Sequence, residues 1–412
     1  MNRPSRAGIP LLAGLLLAAG LPASGCSGSK RVQRLRKAEV QKRLRALETP
    51  GLVLGEFPLA ADAVVDGDTI KVAGLDTSLR LLAIDTEETF KTDEDRRLYE
   101  RGFEQYLEAK RGDRAKPVKC ATPLGMDAKR FAVEFFAGVR TVRLERDHPK
   151  DIRGRYDRYL VYVFARKKGR WVNYNVEAVR AGMSPYFTKY SYSRRFHDQF
   201  VAAQREAQQK GIGIWNPELD HYRDYEERLQ WWNARAEFIQ QFEREAEGED
   251  NYITLTHWDA LRRLEKHVGK PVVVLGTVGE IELGDRGPTI VKLSRRIGGD
   301  FPLVFFDKDV FGSSRIARFK GEFVRAEGPV NRYRNKHTGR EVLQMIIKRP
   351  GQISGSEEVP NYSGWDPEGR DRMERLDPEE PGGLKTGQPE QPEQPEQPEP
   401  QPQQEQEESH AP

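Results

Sequence analysis

The sequence predicts a mainly β chain with helices, an α+β architecture in which two small β-rich units are separated by a long helix. Three observations predict it. Short runs rich in β-branched and aromatic residues recur between Gly, Asn and Asp turns, as strands do. Stretches with apolar residues at helical spacing lie between and after them. Both ends of the 412-residue chain have compositions that build no core.

Those ends set the outer boundaries. From Gly355 to Pro412 there are 16 Asp or Glu and 4 Lys or Arg, and the stretch contains the repeat "QPEQPEQPEQPEP" near its end. Residues 355–412 therefore read as a solvated, disordered Pro/Gln/Glu tail whose prolines favour extended backbone. The chain's formal charge is +3, so the acidic tail conceals a body, residues 1–354, of about +15. A basic body attracts polyanions such as nucleic acid or acidic lipid; a merely solvated surface is the alternative.

At the other end, Arg3 and Arg6 precede "IPLLAGLLLAAGL", too short and too interrupted by Gly and Pro for a good spanning helix. Ala23-Ser24-Gly25 then leads into Cys26, which resembles the lipobox of a bacterial lipoprotein. That resemblance implies a signal peptide over 1–25, a lipid on Cys26, and a membrane-anchored extracytoplasmic protein. Ser27 after the cysteine points to the outer membrane where there are two. An ordinary signal peptide with an incidental cysteine is the alternative. Cys120 is the one other cysteine, so no intramolecular disulfide is expected if Cys26 carries lipid. Residues 26–51 read as a basic helical stalk, with Val32, Leu35, Val40, Leu44 and Leu47 along one side.

Within residues 52–216, "TIKVAG", "SLRLLAI", "TVRLE" and "YLVYVFAR" read as strands. "MDAKRFAVEFFAGV", "VNYNVEAVRAGM" and "RRFHDQFVAAQREAQQKG" read as helices, the last stopping at Gly211. A charged, partly helical insertion runs from Phe90 to Leu124. Residues 217–251 form the linking helix, with Trp231 and Trp232 expected to dock it on a neighbour. Residues 252–354 contain a helix and then four or five strands with Gly turns, a pattern that resembles a small OB-fold-like β-barrel.

Residues 64–69 read "VVDGDT", and most Asp-Gly-Asp triplets are only tight turns. Here the triplet opens an ordered series: "VVDGDTIKV", "LRLLAIDTEET", "RGRYDRYLVYV", "VNYNVEAVRAGM" and "GIGIW". Taken together, these five blocks resemble the staphylococcal nuclease (thermonuclease) family from about Leu52 to Asn216. The resemblance implies an OB-type five-stranded β-barrel that cleaves DNA and RNA with Ca²⁺. It also implies roles. Asp68 and Asp85 match carboxylate ligands of the metal, with the Thr86 carbonyl beside them. Glu88 matches the base that activates water, and Arg80 and Arg158 match phosphate-binding arginines. Asp66 matches an outer acid near the metal. Tyr156 and Tyr190 are candidates to pack on a nucleotide base, although buried aromatics are the commoner case.

The residue types suit that chemistry on their own terms. Phosphodiester hydrolysis gathers negative charge, which fixed cations stabilise. Ca²⁺ prefers hard oxygen donors. An arginine fork holds two phosphate oxygens at once, and a carboxylate accepts a proton from water or orients it. Strict strand alternation, however, puts Arg80 and Asp85 on opposite faces. They converge only if the strand ends before Asp85. Two departures from the family pattern also stand out: Glu87 replaces a proline, and Asp157 places an acid beside Arg158. The leading expectation is a lipid-anchored, Ca²⁺-dependent nuclease. The alternatives are a catalytically weak or inactive nucleic-acid-binding envelope lipoprotein and a structural envelope protein. In the second unit, Arg332-Tyr333-Arg334-Asn335-Lys336-His337 reads as a basic, aromatic hairpin tip suited to nucleic acid, or simply as a solvated turn.

Overall fold

A computed structural model describes residues 51–75, 77–151, 154, 158–294, 300–334 and 339–364. The expected signal peptide, lipidated Cys26, basic stalk, Tyr156, Asp157 and the chain beyond Gly364 lie outside the described residues.

The first unit begins with a long strand β1 (Val53–Asp66), which turns at Gly67 into β2 (Thr69–Val72) and then β3 (Leu79–Leu81). Two short helices, α1 (Asp93–Glu100) and α2 (Phe103–Arg111), occupy the charged insertion. Helix α3 (Pro123–Phe136) follows, then β4 (Thr141–Glu145), β5 (Tyr159–Lys167) and β6 (Arg170–Asn173). Neighbouring strands pair antiparallel in the order β3-β2-β1-β4-β5-β6. A parallel pairing of β3 with β5, Leu79 opposite Tyr159 and Leu81 opposite Val161, closes β1 to β5 into a five-stranded barrel. Alternation drives Ile70, Leu79, Leu81, Val142, Leu144, Val161 and Val163 inward, and all are essentially buried. Helix α4 (Tyr174–Arg180) and helix α5 (His197–Lys210) pack on this core. Helix α5 ends at Gly211 in the left-handed region, φ 58°, as its sequence predicts.

Helix α6 (Tyr225–Glu245) leads to the second unit, made of β7 (Tyr252–Thr254), α7 (Ala260–Lys266), β8 (Pro271–Glu282), β9 (Thr289–Ser294), β10 (Phe301–Phe305), α8 (Lys308–Ser314), β11 (Phe323–Arg334), β12 (Glu341–Ile347) and β13 (Ile353–Gly355). Strands β8 to β12 repeat the connectivity of the first barrel. Strand β8 pairs with β9 and β11, β10 pairs with β9, and a parallel β10–β12 ladder closes the ring. Both units are thus five-stranded barrels of OB-type order, each with a helix between its third and fourth strands.

Helix α6 lies between the barrels and holds both through neighbouring residues of one turn. Trp232 meets Phe187 of the first unit edge-on, ring centroids 4.7 Å apart. The adjacent Trp231 reaches the second unit, its indole N–H donating to Glu322 Oε1 at 3.2 Å. Arg235 ion-pairs with Glu322 Oε2, and also donates to the Gly321 carbonyl at 3.0 Å and to the Lys189 carbonyl at 3.0 Å. The Arg235 and Glu322 side chains are each 2% exposed, so this pair is fully withdrawn from water.

The tail begins later than its composition suggests. Residues 355–364 are partly packed, with Glu357, Glu358, Asn361 and Gly364 still exposed, because Val359 and Tyr362 supply apolar anchors within the acidic stretch. Val359 is buried against the Phe187, Trp231 and Trp232 cluster, and the Tyr362 hydroxyl donates to Glu227 Oε1 at 2.9 Å.

Removing one partner of a buried ion pair leaves an uncompensated charge and costs about 3–5 kcal/mol. Glu322→Ala is therefore expected to destabilise the chain by about that amount through Arg235. Chemical denaturation of the full chain with and without the substitution measures it.

Candidate active site

The Asp-Gly-Asp turn is shaped by close approach rather than by glycine's access to positive φ. A Cβ on Gly67 would lie 2.7 Å from Thr86 Cγ2 and 2.8 Å from Ala128 Cβ. The β1–β2 turn, the chain after β3 and helix α3 therefore meet at one point that only glycine allows. Gly125, in the first turn of α3, plays the same part from the other side, since a Cβ there would sit 2.0 Å from the Glu88 carbonyl oxygen. Thr122 caps this helix by accepting from the Gly125 amide at 3.1 Å.

Strand β3 ends at Leu81, and Ala83 then takes φ 60°, in the left-handed region. That reversal breaks the alternation and brings Asp85 round to the side of Arg80. The Phe187 amide, donating to the Ala83 carbonyl at 3.0 Å, and Ser184 Oγ, accepting from the Asp85 amide at 2.8 Å, hold the turned segment.

The Arg80 guanidinium consequently spans two acids. One nitrogen ion-pairs with Asp68 and the other with Asp85 Oδ1 at 2.5 Å. Asp68 also accepts from the Thr69 hydroxyl at 2.8 Å. A second cation comes from a residue that sequence reading passed over: Lys119 Nζ lies 2.6 Å from Asp85 Oδ1. It sits at the end of the charged insertion, where one lysine among many carries no periodic signal. Asp68, Asp85 and Thr86 are all buried. Phe187, also missed, lies against Arg80, its ring centroid 6.0 Å from the guanidinium carbon.

Burial pushes the Asp68 carboxyl upward, but Arg80 and Lys119 outweigh it and hold it at about 2. Asp66 goes the other way. Burial, then the charges of Asp68 and Glu88, raise it to about 7. Its Oδ1 is buried with no hydrogen-bond partner among the described residues. Burial opposes the Lys119 charge, yet Asp85 beside it holds its ammonium above the usual range. Glu88 is one-fifth exposed and ion-pairs with Lys91 at 2.9 Å.

Glu87 faces away from this cluster. It is 1% exposed and accepts from the Thr122 hydroxyl, the Tyr222 amide at 2.7 Å and the Tyr225 hydroxyl at 2.8 Å. The charge in the proline's place thus fastens the approach to α6 rather than adding to the acids around Asp68. Cys120 lies nearby, accepting through its carbonyl from the Tyr222 hydroxyl at 2.6 Å, and burial pushes its thiol up to about 12.

The structure brings Asp66, Asp68, Arg80, Asp85, Thr86 and Glu88 to one end of the first barrel. Arg158 stands one residue before β5, whose Tyr159 lies opposite Leu79, so its backbone runs beside the strand carrying Arg80. Tyr190 is 61% exposed and lies against Phe187, ring centroids 5.8 Å apart. In the second barrel β11 and β12 pair antiparallel with Arg334 opposite Glu341, and Asn335, Lys336 and His337 of the expected tip lie outside the described residues. Arg332 there is engaged by Glu265 at 2.6 Å and Glu341 at 3.3 Å, so its charge is largely balanced within the chain.

Residues 78–217 match the family described as Staphylococcal nuclease homologue. The match begins after the Asp-Gly-Asp turn, so the contribution of Asp66 and Asp68 rests on the fold, which carries them to Arg80. An uncharacterized protein of Methanocaldococcus jannaschii is 31% identical over 155 residues, 37% of this chain and 69% of that protein. With the barrel topology, these similarities establish that the chain belongs to the staphylococcal nuclease homologue family.

Proposed function

We propose that this chain is a Ca²⁺-dependent nuclease that hydrolyses DNA and RNA phosphodiester bonds outside the cytoplasm, held at a membrane by lipid on Cys26. The observation that carries the catalytic part is the Asp68–Arg80–Asp85–Lys119 cluster, two buried acids and two half-buried cations converging on one barrel end.

The donor set suits a hard divalent cation: buried carboxylates at Asp68 and Asp85, the Thr86 main chain beside them, and an unpartnered carboxylate oxygen on Asp66. Asp68, Asp85 and the Thr86 carbonyl would hold the ion, which when bound supplies positive charge to the phosphate. The remaining work falls to side chains of the chain. Arg80 exchanges its carboxylate partners for phosphate oxygens, keeping the two-pronged geometry in which it is now held. Lys119 adds a point charge from the insertion side. Glu88 faces partly into solvent and accepts a proton from the attacking water or orients it. Phe187, buttressed by Trp232, limits where the guanidinium can swing. Family resemblance favours 3′-phosphate and 5′-hydroxyl products.

The anchoring part is supported by the sequence around Cys26. Among the described residues, no helix is long and apolar enough to cross a membrane.

Arg80→Lys and Glu88→Gln are each expected to lower kcat by about 10²–10³-fold, the usual cost of losing one placed charge-stabilising group, with circular dichroism unchanged. Lys119→Met should lower turnover in the same direction by a smaller factor, since Arg80 remains. Near wild-type rates in Arg80→Lys and Glu88→Gln would favour a binding protein instead. Cleavage of single-stranded DNA should stop with excess chelator and return with Ca²⁺; full activity in chelator would reject the metal assignment. Cys26→Ser should move the protein out of the membrane fraction or leave an uncleaved precursor, detected by fractionation and intact mass.

A further inference from the structure

We propose that His148, Asp151 and His257 form a binding site for a transition-metal ion of the Zn²⁺ type, which fastens the nuclease barrel to the second barrel. His148 and Asp151 lie in the chain leaving β4, and His257 lies between β7 and α7, so the three residues come from both units. The imidazole rings stack, with centroids 4.8 Å apart and planes 20° apart. His257 Nε2 is 3.7 Å from Asp151 Oδ1, and His148 Nδ1 is 3.8 Å from Asp151 Oδ2. One donor atom from each residue lies within 4.8 Å of the other two.

A second observation points to a ligand. Both ring nitrogens of His257 are buried with no hydrogen-bond partner among the described residues. An imidazole has a donor and an acceptor to satisfy, and native interiors almost always satisfy them. The Trp258 amide, donating to the Lys150 carbonyl at 3.1 Å, already holds the two chains side by side at this point. Burial pushes both imidazoles below their ordinary range, His148 to about 4, and His148 Nδ1 accepts from the Lys150 amide at 3.2 Å, a bond that a metal at that nitrogen would replace.

The neighbouring cations among the described residues, Arg194 and Lys150, each have a carboxylate of their own. Arg194 is held by Glu243 and by Asp147 at 3.3 Å, and approaches Asp151 only at 3.9 Å. Lys150 is held by Asp259 at 3.2 Å. Two imidazoles and one carboxylate are a borderline-soft set that suits Zn²⁺ far better than Ca²⁺. Bonds of about 2.0–2.2 Å put tetrahedral ligand atoms about 3.3–3.6 Å apart, so rotation of these side chains closes the remaining gap. Three protein ligands leave a fourth position for water. Asp151 opens the connection that ends at Arg158, so an ion here also fixes one end of the segment leading to that arginine.

The experiment uses the full chain, freed of metal with chelator, titrated with ZnCl₂ by calorimetry and with CoCl₂ by visible absorption. One Zn²⁺ per chain, a rise in Tm on adding it, and cobalt bands of a four- or five-coordinate nitrogen/oxygen site are expected. His148→Gln with His257→Gln should remove the Tm rise and the cobalt bands. Asp68→Asn with Asp85→Asn should keep both, which separates this site from the Asp68 cluster. Absence of zinc binding in the wild type, or an unchanged Tm rise in the histidine variant, overturns the proposal. Should the histidine variant fail to fold, the wild-type cobalt spectrum decides, and purely octahedral, water-like bands reject the site.

Discussion

Two buried carboxylates share one guanidinium at the mouth of the first barrel, and much of the surrounding fold exists to make that geometry tolerable. Asp68 and Asp85 withdrawn from water together would repel each other strongly. Arg80 reaches both because β2 and β3 are paired, with Thr69 opposite Arg80, and because the chain reverses at Ala83. The reversal is held from outside by Ser184 and by the Phe187 amide, and Phe187 is held in turn by Trp232 of α6. The helix that joins the two barrels therefore also supports the arginine. Glu87 completes the arrangement from the opposite direction, since it ties the strand end to Tyr222 and Tyr225 at the start of the same helix.

How much of this could be read from the sequence depended on whether the signal was local. Strands such as β2, β4 and β5 announced themselves by alternation, and α5 by spacing and its Gly211 stop, because those patterns are set by neighbours in the chain. Asp66, Asp68, Arg80, Asp85 and Glu88 were legible because they cluster in two short motifs. Lys119, Phe187 and Ser184 were not, since each becomes part of the site only through long-range packing. The turn at Gly67 was foreseen, but its cause was not: close approach to Thr86 and Ala128 belongs to the tertiary fold. The packing of Val359 and Tyr362 was hidden for a related reason, as two anchors in an acidic stretch do not alter its average composition.

The interface between the units has two different chemical characters. Around α6 it is a buried ion pair inside aromatic walls, with Arg235 and Glu322 fully enclosed. Such a pair demands accurate geometry, because its desolvation is repaid only when every hydrogen bond is made. Around His257 it is polar, with ring nitrogens that no described residue hydrogen-bonds. The first contact fixes how the barrels face each other. The second leaves chemistry unspent at the same boundary.

The connection from Leu81 to Thr141, which holds α1, α2 and Lys119, sits inside the loop that must close when β3 pairs with β5. Lengthening such a loop adds little entropy, about 0.6 kcal/mol for each doubling. The barrel therefore accommodates a large excursion of chain at small thermodynamic cost, and that excursion returns a cation to the buried acids. A barrel of this topology can in this way gain site residues between its third and fourth strands without redesign of its hydrophobic core.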